Sequence, residues 1–169
     1  MPASRMTILA DQIDAFVDWV GRTVSWLALV LAVVMGANVL LRYGFSLGRI
    51  WAQELEWHLL VPLVLIGMSY AMRHGEHVRV DVLFASFPPR GKLTVELISA
   101  VIAVIFALLV IWLSLPYVWQ SWSNGEGSAN PGGIDYRYVI KAMIPLGFAF
   151  FFLQSLSHAI RAAFALRSV

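Results

Sequence analysis

Four stretches of mostly apolar residues dominate this chain, at residues 23–41, 55–72, 97–119 and 138–160. A helix needs roughly 20 such residues to cross a hydrocarbon core about 30 Å thick. Each stretch is close to that length, and charges mark their ends. Arg22 and Arg42 bound the first, Arg73 closes the second, and Arg161 closes the fourth, which has Lys141 near its start. Pro62, Pro116 and Pro145 fall inside these segments. They would break soluble helices, but a bundle in lipid can re-satisfy the freed carbonyls. Only 13% of the residues are charged and 60% are hydrophobic, with a mean hydropathy of +0.76. A soluble domain carries about a quarter charged residues. The expected fold is therefore all-α, an integral-membrane four-helix bundle forming a single domain over residues 1–169.

Basic residues set the expected orientation. The N-terminus, the second connection and the C-terminal tail together hold eight of them: Arg5, Arg22, Arg73, Arg79, Arg90, Lys92, Arg161 and Arg167. The other side holds four, Arg42, Arg49, Arg137 and Lys141. Both termini are expected to be cytoplasmic. Trp51, Trp57, Trp119, Trp122, Tyr136 and Tyr138 then gather at the outer interface. Amphipathic rings sit well there, so an ordinary aromatic belt accounts for them, with contact to an external partner as the sharper reading.

The connecting segments carry their own signals. Over residues 8–20, Ile8, Ile13, Phe16, Val17 and Val20 fall near one helical face, with Asp11, Asp14 and Asp18 largely opposite. This predicts an N-terminal amphipathic interfacial helix. Its acidic face differs from the basic face usual in lipid-binding helices and suits packing against a protein. Polar and apolar residues alternate from His77 to Val82, which is expected to be an interfacial turn leading into a short helix that stops at Pro88 and Pro89. The third connection is rich in glycine and includes Asn130-Pro131, so a polar, flexible loop is expected. It lacks the Gly-Lys-Ser/Thr ending of a phosphate-binding loop. Cysteine is absent, excluding disulfides and thiolate chemistry. The formal charge of +2 is too small and dispersed for nucleic-acid binding. No cleavable signal peptide is evident at the N-terminus.

Polar residues within the spans are few. Ionisable groups inside a membrane are costly and default to functional hypotheses, yet here most sit at span ends. Glu54 and Glu56 lie at the outer end of the second span and Glu96 at the inner end of the third. Glu54 is expected near the positive end of a helix dipole, within reach of Arg42 or Arg49. Asn38 in the first span and Gln154 and Ser155 in the fourth are expected to hydrogen-bond between helices, at about 1 kcal/mol or less each. No convergent set of polar groups marks a solute path. Small residues at four-residue spacing provide candidate packing faces: Ala28, Ala32 and Gly36 in the first span, Gly67 and Ala71 in the second, and Ala103 and Ala107 in the third. His58 and His158 fall at opposite ends of their spans, so they are not expected to ligate one haem iron.

Several short motifs resemble one family. They are Asn38-Val39-Leu40-Leu41-Arg42-Tyr43-Gly44-Phe45, then Trp51-Ala52-Gln53-Glu54, then Gly67, then His77-Val78-Arg79-Val80-Asp81-Val82-Leu83. With the four-span layout and the chain length, they resemble the small permease subunit (the Q subunit, or DctQ-like family) of tripartite ATP-independent periplasmic (TRAP) transporters. Ser128-Ala129-Asn130-Pro131-Gly132-Gly133 and Ile144-Pro145-Leu146-Gly147-Phe148 look closest to the branch named for mannitol and chloroaromatic compounds. One departure is Gln53, where the family often has the first of two adjacent acidic residues; Glu54 is retained.

The resemblance implies an inner-membrane subunit with two protein partners, a large permease that moves an organic acid on a sodium gradient and a periplasmic solute-binding protein. It implies no cofactor. The small subunit would brace the permease and help form the docking surface. Outer-side residues expected to serve assembly or docking are Arg42, Arg49, Trp51, Glu54 and Trp57. His77, Arg79 and Asp81 would mark the inner-side segment. The competing reading is a self-associating carrier or channel. An enzyme is not expected, because no acid–base pair, nucleophile or metal-ligand set converges on one side.

Overall fold

The computed structural model describes residues 5–75, 84 and 86–168. It contains four long helices: α1 (Arg5–Phe45), α2 (Ile50–Arg73), α3 (Pro89–Ser123) and α4 (Arg137–Ser168). Each contains a window long and apolar enough to cross a membrane. No strand occurs among the described residues. Pro62, Pro116 and Pro145 all lie inside helices, as a lipid setting permits. Pro88 precedes α3 in an extended conformation and Pro89 is its first residue, where a missing N–H costs no helical bond. The segment read from His77 to Val82 lies outside the described residues.

The helices pack with α4 as the hub. α1, α2 and α3 all contact it, α3 most extensively, and α1 also packs along α2. The connection of α1 to α2 and that of α3 to α4 share one end of the bundle, called here the loop end. The chain termini share the other. Most large apolar side chains point away from the bundle, including Trp26 (69% exposed), Leu40 (69%), Ile102 (61%) and Trp112 (70%). Such a surface is stable where hydrocarbon replaces water, and its few buried residues are mostly small or polar.

The expected boundary between an interfacial helix and a first span is absent. α1 runs unbroken through 41 residues, about 60 Å at 1.5 Å per residue, twice the hydrocarbon thickness. Residues 8–20 and 23–41 therefore belong to one helix with one continuous inner face. Ala10, Val17, Val24, Leu31 and Asn38 recur along it every seven residues, with Asp14, Gly21 and Val34 between them, and all are withdrawn from the surface. Ile8 and Phe16, assigned to the apolar face, are exposed, while Asp14, assigned to the polar face, is buried. Packing against α4 and α2 overrides the local amphipathic pattern, because α4 supplies partners for the carboxylate.

Small residues set the helix spacing, at positions only partly anticipated. On α3, Ala100, Ala107, Ser114 and Ser121 are buried at seven-residue intervals. This seam admits α4 closely, as small residues do between membrane helices. Ala28, Ala32 and Gly36 are instead exposed, and a Cβ on Gly36 would meet nothing within 4 Å. They do not pack against the other described helices. A Cβ on Gly67 would likewise meet nothing within 4 Å, and Ala71 is only half-buried.

The close approach of α2 and α4 falls at Gly147, where a Cβ would lie 2.6 Å from the Leu65 Cβ and 3.0 Å from its carbonyl oxygen. Backbone cannot swing aside as a side-chain tip can. Gly147→Val is thus expected to destabilise the chain by about 1–3 kcal/mol through overpacking. Gly67→Ala is expected to be neutral or stabilising by up to about 1 kcal/mol, from helix propensity alone. Thermal unfolding of both variants in detergent checks the contrast.

Candidate functional site

The loop end is built around Glu54. α2 begins at Ile50, after Arg49 in extended conformation, so Glu54 lies in the second helical turn. The helix-dipole reading of Glu54 does not hold, because that effect fades beyond the first turn. Hydrogen bonds take its place. Glu54 is 3% exposed. Its Oε1 accepts from Ser128 Oγ at 2.5 Å and from Asn130 Nδ2 at 3.2 Å, and its Oε2 accepts from the Ile134 N–H at 2.7 Å. Arg137 Nη2 completes the set at 3.6 Å. The ion-pair partner is thus Arg137 rather than Arg42 or Arg49, both of which are exposed.

This carboxylate organises the glycine-rich loop. Ser128, Asn130 and Ile134 all turn inward onto a single side chain of α2, so the segment expected to be flexible has a fixed course. Glycine is required at Gly133, where a Cβ would lie 2.5 Å from the Ser128 Cβ and 2.6 Å from the Glu54 Oε2. Gly132 turns the chain with φ of 79°. The loop is tied down again by the Arg137 N–H, which donates to the Glu126 carbonyl oxygen at 3.0 Å. The Lys141 ammonium donates to the Glu126 carboxylate, and this hydrogen bond holds that carboxyl below the ordinary glutamate value.

Aromatic rings frame the same end. The Arg137 guanidinium carbon lies 5.1 Å from the Trp57 ring centroid, and Lys141 Nζ lies 4.0 Å from that of Tyr117. Trp122 and Tyr138 meet edge to face at 4.4 Å. Trp51, Trp119 and Tyr136 are exposed beside them. Arg42 rests 5.8 Å from the Tyr43 ring centroid, and both point to the surroundings. The site residues thus divide into a buried set (Glu54 with Arg137) and an exposed set (Arg42, Arg49, Trp51, half of Trp57). Gln53 is exposed where Glu54 is buried, so the acid retained from the family motif is the one that holds the loop.

Below this end, Asn38 Nδ2 donates to Glu56 Oε1 at 2.8 Å and joins α1 to α2. His58 Nδ1 lies 2.6 Å from the Glu54 carbonyl oxygen. A carbonyl only accepts, so Nδ1 is the donor of this hydrogen bond. Among the described residues, no group of three or more His, Asp or Glu is placed to hold a metal ion. His77, Arg79 and Asp81 lie outside the described residues.

A second polar cluster, which sequence reading missed, sits at the opposite end. Asp14 is 2% exposed. Its Oδ1 accepts from Ser157 Oγ at 2.7 Å and from Gln154 Nε2 at 3.0 Å. Its Oδ2 accepts from Arg161 at 2.6 and 3.1 Å, and Arg73 approaches to 3.7 Å. Arg161 also reaches Asp11 at 2.7 Å. α1, α2 and α4 are clamped together there, and the Tyr70 ring seats against Gly21 two helical turns further along the same face. The available signal was the pairing of acidic residues on 8–20 with Gln154 and Arg161 at the end of the fourth span.

Both clusters fasten helices or a loop among the described residues. Residues 31–165 match the family described as "Tripartite ATP-independent periplasmic transporters, DctQ component". A putative TRAP transporter small permease protein from Haemophilus influenzae is 33% identical over 116 residues, covering 67% of this chain and 70% of that one. The ectoine TRAP transporter small permease protein TeaB of Halomonas elongata is 24% identical over 133 residues, covering 79% and 68%. The sialic acid TRAP transporter permease protein SiaT of Haemophilus influenzae is 26% identical over 147 residues, which are 85% of this chain but only 23% of that relative. The chain therefore belongs to the DctQ family of TRAP transporter small permease subunits, and it is a multi-pass inner-membrane protein rather than an enzyme.

Proposed function

We propose that this chain braces a large permease subunit in the membrane and, at its loop end, helps present the surface on which a periplasmic solute-binding protein docks. The observation that carries this reading is the outward direction of Ala28, Ala32 and Gly36. A stripe of small residues at four-residue spacing is a close-packing surface for another helix, and this one faces away from the chain's own bundle. The SiaT relative supports the choice of partner, since the segment resembling this chain is there part of a chain more than four times its length. The docking surface is the Glu54-anchored loop with exposed Arg42, Arg49 and Trp51 around it. It faces the periplasm if the termini are cytoplasmic, as the basic-residue balance favours. The cargo is an organic acid and the driving force a sodium gradient, in keeping with the family pattern and with the sialic acid relative.

The test is co-purification. Expressed together with a TRAP large permease subunit, the chain is expected to elute in mild detergent as a two-subunit complex. Ala32→Trp is expected to lower recovery of the large subunit roughly tenfold, equivalent to about 1.4 kcal/mol of association free energy. A strictly homomeric particle that moves solute in liposomes would overturn the reading in favour of a stand-alone carrier.

A further inference from the structure

At the end of the bundle that carries the termini, an apolar crevice of about 370 Å³ opens between three helices. Met6 of α1, Leu97 of α3, and Ala159, Ile160, Ala163 and Phe164 of α4 form its walls, and Arg167 stands at its edge. The volume falls within the roughly 300–1,000 Å³ of ordinary ligand sites. Its depth relative to the membrane is informative. Leu97 opens the apolar stretch of α3 and Ile160 closes that of α4, so the crevice straddles the hydrocarbon boundary.

Charge is distributed to match. The Arg167 guanidinium carbon lies 5.9 Å from the Phe164 ring centroid, beyond the apolar walls. Arg90 and Lys92 occupy the first turn of α3, within two turns of Leu97 and on its outward side. Arg5 is the first described residue of α1 and directly precedes Met6. Arg167 therefore stands at the rim of an apolar slot, and Arg5, Arg90 and Lys92 belong to helix ends on the same side of the bundle. A soluble anion would find no use for the slot, and a wholly apolar ligand would find none for the rim.

We propose that this crevice is a binding site for an anionic diacyl phospholipid, with an acyl chain between α1, α3 and α4 and the phosphate beside Arg167. The chemistry is that of basic pockets between membrane helices, where each Lys or Arg near the headgroup contributes on the order of 1 kcal/mol. The bound lipid would fill the gap between the N-terminal turn of α1 and the α3–α4 pair. It would thereby secure the part of α1 that extends past the hydrocarbon. The proposal is independent of the permease and docking roles, since it concerns only this chain's own helix ends.

Native mass spectrometry of the full chain, purified in mild detergent with any subunit that accompanies it, tests this. The probes are dioleoylphosphatidylglycerol and dioleoylphosphatidylcholine at equal amounts. The wild type is expected to retain the anionic lipid in preference. Arg167→Gln is expected to lower that retention roughly fivefold, the equivalent of one lost headgroup cation, and leave the zwitterionic lipid unaffected. Ala163→Trp, which fills the slot, is expected to remove both adducts. Equal retention of the two lipids by the wild type would overturn the proposal, as would full retention of the anionic lipid by both variants. Cross-linking of Ala163→Cys in native membranes to a protein partner rather than to lipid would also overturn it.

Discussion

Asp14→Ala is expected to lower the stability of the folded chain by about 3–5 kcal/mol, the cost of breaking a buried ion pair and stranding its partners. The carboxylate accepts from Ser157, Gln154 and Arg161 and lies beside Arg73. Removing it leaves the Gln154 amide and the Ser157 hydroxyl buried at the α1–α4 seam. It also leaves two arginines on one side of a gap. Arg161 keeps Asp11 as a partner, which places the loss nearer the lower bound. Asp14→Asn retains the shape and one acceptor oxygen, so a smaller loss is expected. Unfolding in detergent followed by tryptophan fluorescence measures both. A double-mutant cycle with Arg161→Ala is expected to show coupling of about 0.5–3 kcal/mol. If Asp14→Ala costs less than about 1 kcal/mol, surface-like solvation of this carboxylate would be the better description.

The same residue shows where sequence reading reaches its limit. The four spans, their proline tolerance and their end charges were all legible, because burial in hydrocarbon imposes a length and a composition that no other setting does. The family resemblance was legible in the motifs from Asn38 to Glu54. Asp14 was not. Within residues 8–20 it sits among exposed-looking acids, and its partners Gln154, Ser157 and Arg161 are about 140 residues away in sequence. Only the packing of α1 along α4 brings them together. The small-residue stripes show the same limit from the other side. Ala28, Ala32 and Gly36 share their four-residue spacing with Ala103 and Ala107, yet the first set faces outward while Ala107 is buried in the α3–α4 seam. Spacing identifies a face suited to close approach. It does not say which helix, or which chain, approaches.

Glu54 was named from sequence but given the wrong partner, and the correction yields the second large effect. Because one carboxylate receives Ser128, Asn130 and the Ile134 N–H, Glu54→Ala releases three loop anchors together and leaves Arg137 without its counter-charge. The loss falls first on the loop, which gives up three hydrogen bonds to one acceptor at once. Hydrogen exchange reads it locally. The Ile134 amide donates directly to Glu54, and its exchange is expected to quicken roughly 10–100-fold, since each 1.4 kcal/mol is a factor of ten. Glu54→Gln keeps one carbonyl acceptor and is expected to fall between wild type and alanine. Arg49→Ala leaves the anchor intact, so Ile134 exchange is expected to stay at the wild-type rate. If the loop end is also the docking surface, solute uptake should fall in Glu54→Ala even where the large subunit still co-purifies. That combination separates a disordered platform from a failed assembly. Unchanged Ile134 exchange in Glu54→Ala would show that the loop holds its course without the carboxylate, and the anchoring role would have to be abandoned.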